Sequence, residues 1–429
     1  VRQLADVTIT LVTPRPYMTY RPLLPEAAAG SLSPRHVVIP LRNVLPRVEI
    51  LIGEATGVDP AARTATVATP ATREAEQPDL ELPYDVLVVA PGAVSRTLPV
   101  PGLAEHGIGF TTLEEAIGLR NHVIEQLDIA ASTRNPDVHG AALTFVFVGG
   151  GYAGVEAIAE LEDMARTATR DYNTLSRDDQ RWILVEAGER ILVEADPELG
   201  RYALDQLRAR AIDVKLGTRL DSVGPDGVHL SDGSHFESRT LVWTTGTRPH
   251  PVLTRLGTLP LDEQGRLRAT PTLQVQGDAR VFTAGDCAAV PDLNSTPADP
   301  DPATDAPRCV PLCAPNAQHA LHQARLLADN VAAHLDGSPL HDYRRTITTS
   351  MASLGLHKGV ARFRGIRLTG LPAWLLHRAH HLACLPSANR RTRILSEWAV
   401  TGLFRREIVS LGSLEHPREE FRRAAEEDP

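Results

Sequence analysis

Six residues, Gly149-Gly150-Gly151-Tyr152-Ala153-Gly154, have the spacing G-x-G-x-x-G, with the apolar run "LTFVFV" before them and "VEAIAEL" after. In that context the first glycine permits a tight turn, the second lets the backbone approach a pyrophosphate, and the third lets helix and strand pack closely. The helix start then stabilises the phosphate charge. Glu186, in "ILVEAGER", stands where a strand end would offer a carboxylate to an adenine-ribose 2′-hydroxyl and repel a 2′-phosphate, which favours NADH over NADPH. Its distance from the glycines exceeds the usual spacing of about 20 residues, and a polar insert before Trp182 accounts for the excess. Arg190 softens that preference, and the plain alternative for Glu186 is a surface carboxylate. Glu156 falls in the first helical turn, where either of two roles is open: a carboxylate complementing the helix dipole or a group at the nicotinamide.

These residues need a strand, a turn and a helix, and the surrounding pattern supplies them. Leu143 to Val148 predicts the strand and Gly154 to about Thr167 the helix, with Val155, Ile158, Ala159 and Met164 on one face. "RWILVEAGERIL" predicts the next strand, "PELGRYALDQLRARAIDVKLGT" a helix leading into a strand, and "TLVWTTGTRP" and "ARVFTAGDCAAV" further strands. Upstream, Val7 to Val12 alternates as a strand, and "VEILIGEATGVDPAARTATV" predicts two strands with a turn at Asp59-Pro60. "YDVLVVAPGA" predicts a buried parallel strand opening on a ligand site. Thr111 or Thr112 caps a helix beginning before Glu114 and Glu115, and "NAQHALHQARLLADNVAAHL" is helical throughout. "PDLNSTPADPDPATDAP" is a surface loop.

A chain of 429 residues suggests two or three domains. Its 42% hydrophobic content is that of a soluble globular protein, and its net charge of −9 argues against wholesale nucleic-acid binding. The basic residues are nearly all arginine, Lys215 and Lys358 being the only lysines. The four cysteines, Cys287, Cys309, Cys313 and Cys384, contain no C-x-x-C pair. Pro311 argues against a helix that would bring Cys309 and Cys313 together. No signal peptide is visible, and no run of about 18 apolar residues is long enough to span a bilayer.

"YRPLLPEAAAG", "PLRNVL", "YDVLVVAPGA", "VGGGYAGVE", "ILVEAGERIL", "LVWTTGTRP", "VFTAGDCA" and "NAQHALHQAR" follow one another in an order that resembles the type II NADH:quinone oxidoreductases, from about Val7 to about Arg406. The resemblance implies an α/β fold of two Rossmann-like FAD/NAD(P)-binding domains, the NADH domain inserted in the FAD domain, plus a C-terminal helical membrane-docking region. The expected limits are 1–118 and 270–345 for the FAD-binding domain, 119–269 for the NADH-binding domain and 346–429 for the C-terminal region. It further implies FAD and NADH as cofactors, hydride transfer from NADH to flavin, a membrane quinone as acceptor, homodimers, and a position on the inner face of the cell membrane. Asp286 matches the carboxylate that binds the flavin ribityl chain, with Gly285 allowing close approach. Ala90-Pro91-Gly92 replaces an Ala-Thr-Gly beside the flavin, Thr245 and Gly246 match the strand end covering the cofactors, and Glu156 matches a glutamate near nicotinamide and quinone. Gln318 matches the quinone-site motif, whose second glutamine falls on His322, with Gln323 adjacent. His322 is either a proton donor to quinone or a satisfied surface histidine.

Two departures stand out. The acidic residue that binds the FAD ribose falls on Thr13, and no first G-x-G-x-x-G precedes the Val7 strand. This reading expects a chain lacking its first central strand and FAD pyrophosphate loop, with weak FAD binding.

Between His357 and Arg406, Lys358, Arg362, Arg364, Arg367, Arg378, Arg390, Arg391, Arg393, Arg405 and Arg406 face only Glu397 as acid, between the apolar runs "LPAWLLHRAHHLACL" and "ILSEWAVTGLF". With Trp374 and Trp398, this reads as a segment lying on an anionic membrane surface. A dimer interface, or core helices with a solvated basic face, is the alternative. The tail "EHPREEFRRAAEEDP" is charged and expected to fray. Two other functions stay open: a sulfide:quinone oxidoreductase, for which Cys309 and Cys313 would be the cysteine pair, and a non-catalytic NADH-binding protein.

Overall fold

The computed structural model describes residues 7–225, 227–295, 310–345, 349–404 and 408–410. Cys309, Arg405, Arg406, most of the Pro/Asp-rich loop and the charged tail lie outside them. The chain divides into two compact units: Val1–Met18, Pro40–Val94 and Thr247–Ile347 form one, and Thr19–Ile39, Ser95–Gly246 and Thr348–Pro429 the other.

The second unit is built on a five-stranded parallel sheet in the order Gly107–Gly109, Thr240–Trp243, Thr144–Val148, Arg181–Val185, Ile212–Lys215. The central strand, TFVFV, is buried at every position, as a parallel strand covered on both faces must be. The aromatic rings of Phe145 and Trp182 stack across neighbouring strands at 4.3 Å between centroids. The helix Leu113–Ser132 starts on a capping box: Thr112 accepts from Glu115 N while the Glu115 carboxylate accepts from Thr112 N. Helix Tyr152–Ala168 follows the glycine turn and buries Val155, Ile158, Ala159 and Met164 as its periodicity requires. Because Gly107–Gly109 is the edge strand of this sheet, residues 95–118 fold with it, across the limit expected at 118.

The residues beyond 348 belong to the same unit and begin differently from the helical region expected. Ser350–Ser353, Gly359–Phe363 and Ile366–Thr369 form an antiparallel sheet before the helices Leu371–Cys384 and Ala388–Leu403. The glycine at 359 has no room for a side chain, since an added Cβ would lie 2.9 Å from Trp374 N. Helix Leu371–Cys384 packs directly on this sheet, burying Ala373 with Met351 and Ala361. The two tryptophans also face inward rather than outward. Trp374 is buried beneath the Arg378 guanidinium, and Trp398 Nε1 donates to buried Glu26 at 2.8 Å.

In the first unit, the parallel pairs among the described residues include Thr10–Thr13 with Glu49–Ile52, Leu87–Val89 with Val281–Thr283, and Leu267–Arg268 with Ala288–Ala289. An antiparallel sheet, Glu54–Asp59, Thr64–Ala68 and Leu80–Pro83, carries the turn expected at Asp59-Pro60. The run from Glu49 thus makes strands at Glu49–Ile52, Glu54–Asp59 and Thr64–Ala68, one more than its apolar pattern suggested, because Gly53 interrupts it. "YDVLVVAPGA" yields only the short strand Leu87–Val89, and Val88 is exposed. The core gathers Val89, Val281, Val275, Leu253, Leu267 and Cys287. Helix Ala317–Asp336 is capped by Asn316, which accepts from His319 N, and ends on Gly337 at φ 69°.

Candidate dinucleotide and redox site

The glycine turn is held by sterics on two sides and open on the third. Gly149 has φ +118°, and a Cβ there would meet Thr244 Oγ1 at 2.6 Å. A Cβ on Gly154 would lie 1.9 Å from Gly149 O, so helix and strand approach as closely as backbone allows. A Cβ on Gly151 would meet nothing within 4 Å. Gly151 is the N-cap of helix Tyr152–Ala168, and its open side is where a phosphate could meet the first-turn N–H groups. Thr244 locks the turn from the neighbouring strand end, its hydroxyl donating to Val148 O at 2.9 Å and Gly149 O at 3.2 Å. Gly246, two residues on, has φ +67°, and its carbonyl accepts from Arg96 N.

Glu186 stands at the end of the adjacent strand. One oxygen accepts from Gly150 N at 2.6 Å and the other from Gly188 N at 2.7 Å. A carboxylate has about four lone-pair sites, so two N–H donors leave it able to accept a ribose hydroxyl as well.

Glu156 is 8% exposed and takes its hydrogen bonds from outside its own helix. Oε1 accepts from Ser353 N at 2.7 Å and lies 3.2 Å from His377 Nε2. One turn on, Glu160 accepts from the Ser353 hydroxyl at 2.8 Å. Burial lowers the His377 imidazole, but the hydrogen bond and charge of Glu156, with Glu26 and Glu160 behind it, outweigh that and hold it above the ordinary imidazole range. Tyr152, at the helix start, is pushed up to about 12 by burial.

The first unit holds the remaining candidates. The paired strands Leu87–Val89 and Val281–Thr283 end side by side, which makes Ala90–Gly92 and Ala284–Asp286 neighbours. Ala90 is exposed, and Gly92, at φ +72°, has open space where a Cβ would be. Gly285 is at φ +81°, and its N–H donates to Gln323 Oε1 at 2.8 Å, which fixes the turn that carries Asp286. Gln318 and His322, four residues apart on helix Ala317–Asp336, share one face and are each partly buried. His322 is lowered by burial and then by Arg345, Arg325 and His319, which favours the neutral ring. Thr13, where the ribose carboxylate was expected, donates its hydroxyl to Arg15 O.

Gln323 is the residue whose role in this unit was least legible. It sits beside the expected position in the sequence, but only its burial, at 2% exposed, and its reach to Gly285 show that it supports the turn. His377 was missed altogether, although the run "HRAHHLAC" is unusual enough to have drawn notice. Cys313 is buried in the first unit, its thiol pushed up to about 11 by burial and by Asp292, and Cys309 lies outside the described residues.

The residues present fit both nucleotides in part or in full. The turn 149–154 with Glu186 is complete for a pyridine dinucleotide, since a Cβ would close the Gly149 and Gly154 contacts while the Gly151 face is open. The Gly92 and Gly285–Asp286 turns, at neighbouring strand ends, leave backbone open to a second nucleotide.

Comparison with known proteins agrees with this geometry. The family described as pyridine nucleotide-disulphide oxidoreductase matches residues 1–320. A Mycobacterium tuberculosis protein named type II NADH:quinone oxidoreductase Ndh is 27% identical over 93% of this chain and 84% of its own. A probable NADH dehydrogenase of Dictyostelium discoideum is 28% identical over 94% of this chain and 86% of its own. Among solved structures, NDH2 from Plasmodium falciparum in complex with NADH superposes with a TM-score of 0.83 at 18% identity, covering 94% of this chain and 95% of that one.

Proposed function

This chain belongs to the pyridine nucleotide-disulphide oxidoreductase family, and on that footing we propose that it is a non-proton-pumping, FAD-dependent NADH:quinone oxidoreductase. The observation that carries the reading is the glycine turn clamped between Thr244 and Glu186, with its Gly151 face open. Relatives named for NADH and quinone chemistry run along nearly the whole chain and support it.

In this reading the parallel-sheet part of the expected region 119–269, Thr144 to Trp243, holds NADH, and the parts of 1–118 and 270–345 that fold in the first unit hold FAD. FAD, when bound, supplies a two-electron carrier between nicotinamide and quinone. The protein contributes position and electrostatics. Gly149, Gly151 and Gly154 seat the pyrophosphate, and Glu186 accepts the adenine-ribose hydroxyls. Ala90, Gly92, Gly246, Gly285 and Asp286 hold the flavin. Glu156, Gln318 and His322 serve nicotinamide and quinone, His322 as a neutral imidazole able to donate one hydrogen bond.

The protein works as a peripheral enzyme on the inner face of the cell membrane, as a homodimer. Among the described residues no helix is long and apolar enough to cross a membrane. The docking face is formed by Leu371, Leu375, Leu395, Val400, Leu403 and Phe404, all exposed on the last two helices or just past them.

The test is the absorbance spectrum of the purified chain, followed by anaerobic addition of NADH. Flavin that bleaches with NADH and recolours with a quinone is expected. A flavin-free chain that still binds NADH would leave a nucleotide-binding module, and flavin bleached by sulfide but not by NADH would exchange the electron donor.

A further inference from the structure

Helix Leu371–Cys384 carries His377, His380 and His381, and its buried His377 reaches Glu156 on the fingerprint helix. His377 is 2% exposed, with Nε2 at 3.2 Å from Glu156 Oε1 and no hydrogen-bond partner on Nδ1. The His381 ring meets His377 edge-on, 4.4 Å between centroids. His381 Nδ1 lies 3.0 Å from the Tyr20 hydroxyl, and the His380 ring is 5.2 Å from His381. Tyr20, His380 and His381 are partly exposed. The groups therefore run in line from a buried carboxylate to side chains at the partly exposed end.

We propose that Tyr20, His381 and His377 form a proton relay that reloads Glu156 while quinone is reduced. This rests on the NADH:quinone reading. The overall reaction, NADH + H⁺ + quinone → NAD⁺ + quinol, takes two electrons and one proton from the hydride and a second proton from solvent. The relay supplies that second proton. The His377 Nε2 proton passes to the Glu156 carboxylate and from it to a quinone oxygen, which leaves His377 neutral with its remaining proton on Nδ1. The His377 ring then turns its bare Nε2 toward His381, takes a proton there and turns back to Glu156, and His381 is reloaded from the Tyr20 side. Rotation of either ring turns a nitrogen toward its neighbour.

The charges around the line suit this task. Three imidazoles packed ring to ring cannot all be cationic. Glu156, Glu26 and Glu160 keep the proton on His377 against the effect of burial. His381 is pushed well below the ordinary range by burial and by His377 and His380, and His380 is lowered by burial and by His377. Behind the charged ring therefore stand neutral ones, each able to accept on one nitrogen and donate from the other. The Tyr20 hydroxyl is raised by burial, then by Cys384, so it stays protonated and serves as a neutral link. Arg378, on the same helix, pairs with Glu26 at 3.1 Å and completes the charged groups around the cluster.

Stopped-flow measurement on the flavin-loaded full chain separates flavin reduction by NADH from its reoxidation by a water-soluble quinone. For His381→Asn and Tyr20→Phe, reoxidation is expected to slow roughly tenfold or more, as loss of a positioned proton donor does. Reduction by NADH keeps its rate, and imidazole in the buffer restores reoxidation in His381→Asn. Histidine ¹⁵N NMR, which needs no flavin, is expected to show His377 as imidazolium at neutral pH and titrating lower in Glu156→Gln. Unchanged reoxidation in both variants, equal slowing of both half-reactions without rescue, or His377 titrating as an ordinary imidazole overturns the relay. Failure of NADH to reduce the wild-type flavin sinks the function reading and the relay with it, and is seen before any substitution is made.

Discussion

The Glu186 carboxylate accepts the Gly150 N–H at 2.6 Å across 36 residues of sequence, so one side chain both shapes the glycine turn and faces the nucleotide it is read to bind. Glu186→Gln keeps the side-chain volume and removes the charge, at the loss of one of its two backbone N–H acceptors. Hydrogen bonds to a charged group are worth about 1.5–3 kcal/mol, so KM for NADH should rise by roughly tenfold or more. The preference for NADH over NADPH should shrink, because the repelling charge is gone. Steady-state kinetics with both nucleotides would check this, and an unchanged ratio would reduce Glu186 to a support for the loop.

Gly151 and Gly154 should fail in different ways. At Gly154 an alanine Cβ would lie 1.9 Å from Gly149 O, so Gly154→Ala must push helix and strand apart. The expected loss is about 1–3 kcal/mol of stability, the usual range for overpacking, visible as a lowered Tm. Gly151→Ala meets no protein atom and should keep its Tm while losing NADH affinity, measured by titration. A Gly151→Ala protein with full affinity would place the pyrophosphate elsewhere.

Stability should depend on pH through His377. Its folded value is raised above the ordinary 6.5, against the lowering by burial, by Glu156 with Glu26 and Glu160 behind. In the unfolded chain it titrates at the ordinary value. The stabilisation is therefore complete below about 6.5 and is lost as pH rises through the folded value. The Tm advantage of wild type over Glu156→Gln should shrink as pH is raised from about 6 to about 9. An advantage that grows with pH over that range would mean the ion pair is not the source.

Membrane attachment should depend on side chains that point outward, not on the tryptophans. Leu403 and Phe404 are 79% and 68% exposed, whereas Trp374 is 7% exposed. Leu403→Asp with Phe404→Asp should lower partitioning onto anionic vesicles in sedimentation while leaving the Tm in place. Removing the whole segment from Leu371 is a poorer probe, because it also strips Trp374 and His377 from the core. Undiminished vesicle binding by the double variant would move the docking face elsewhere.

Much of the parallel-sheet unit was legible because its signals are local. The turn 149–154, the Thr112 capping box and the burial of "TFVFV" each depend on neighbours a few residues away, and each is where its pattern predicts. The sheet Ser350–Thr369 was not legible. Its strands are short, and they form because helix Leu371–Cys384 covers one face, which alternation alone does not announce.

The sequence by itself determined the dinucleotide turn, its following helix and the strand ends that carry Glu186 and Asp286, since glycine spacing and apolar runs act over one or two turns of chain. Only the tertiary structure decided what surrounds Glu156. From its place in the first helical turn, a dipole-complementing carboxylate was as reasonable as a redox-site group. Its partner Ser353 is 197 residues away, and His377 comes from a still later helix. A buried carboxylate must find donors wherever the fold brings them, and no local pattern encodes which distant backbone N–H or imidazole will be there.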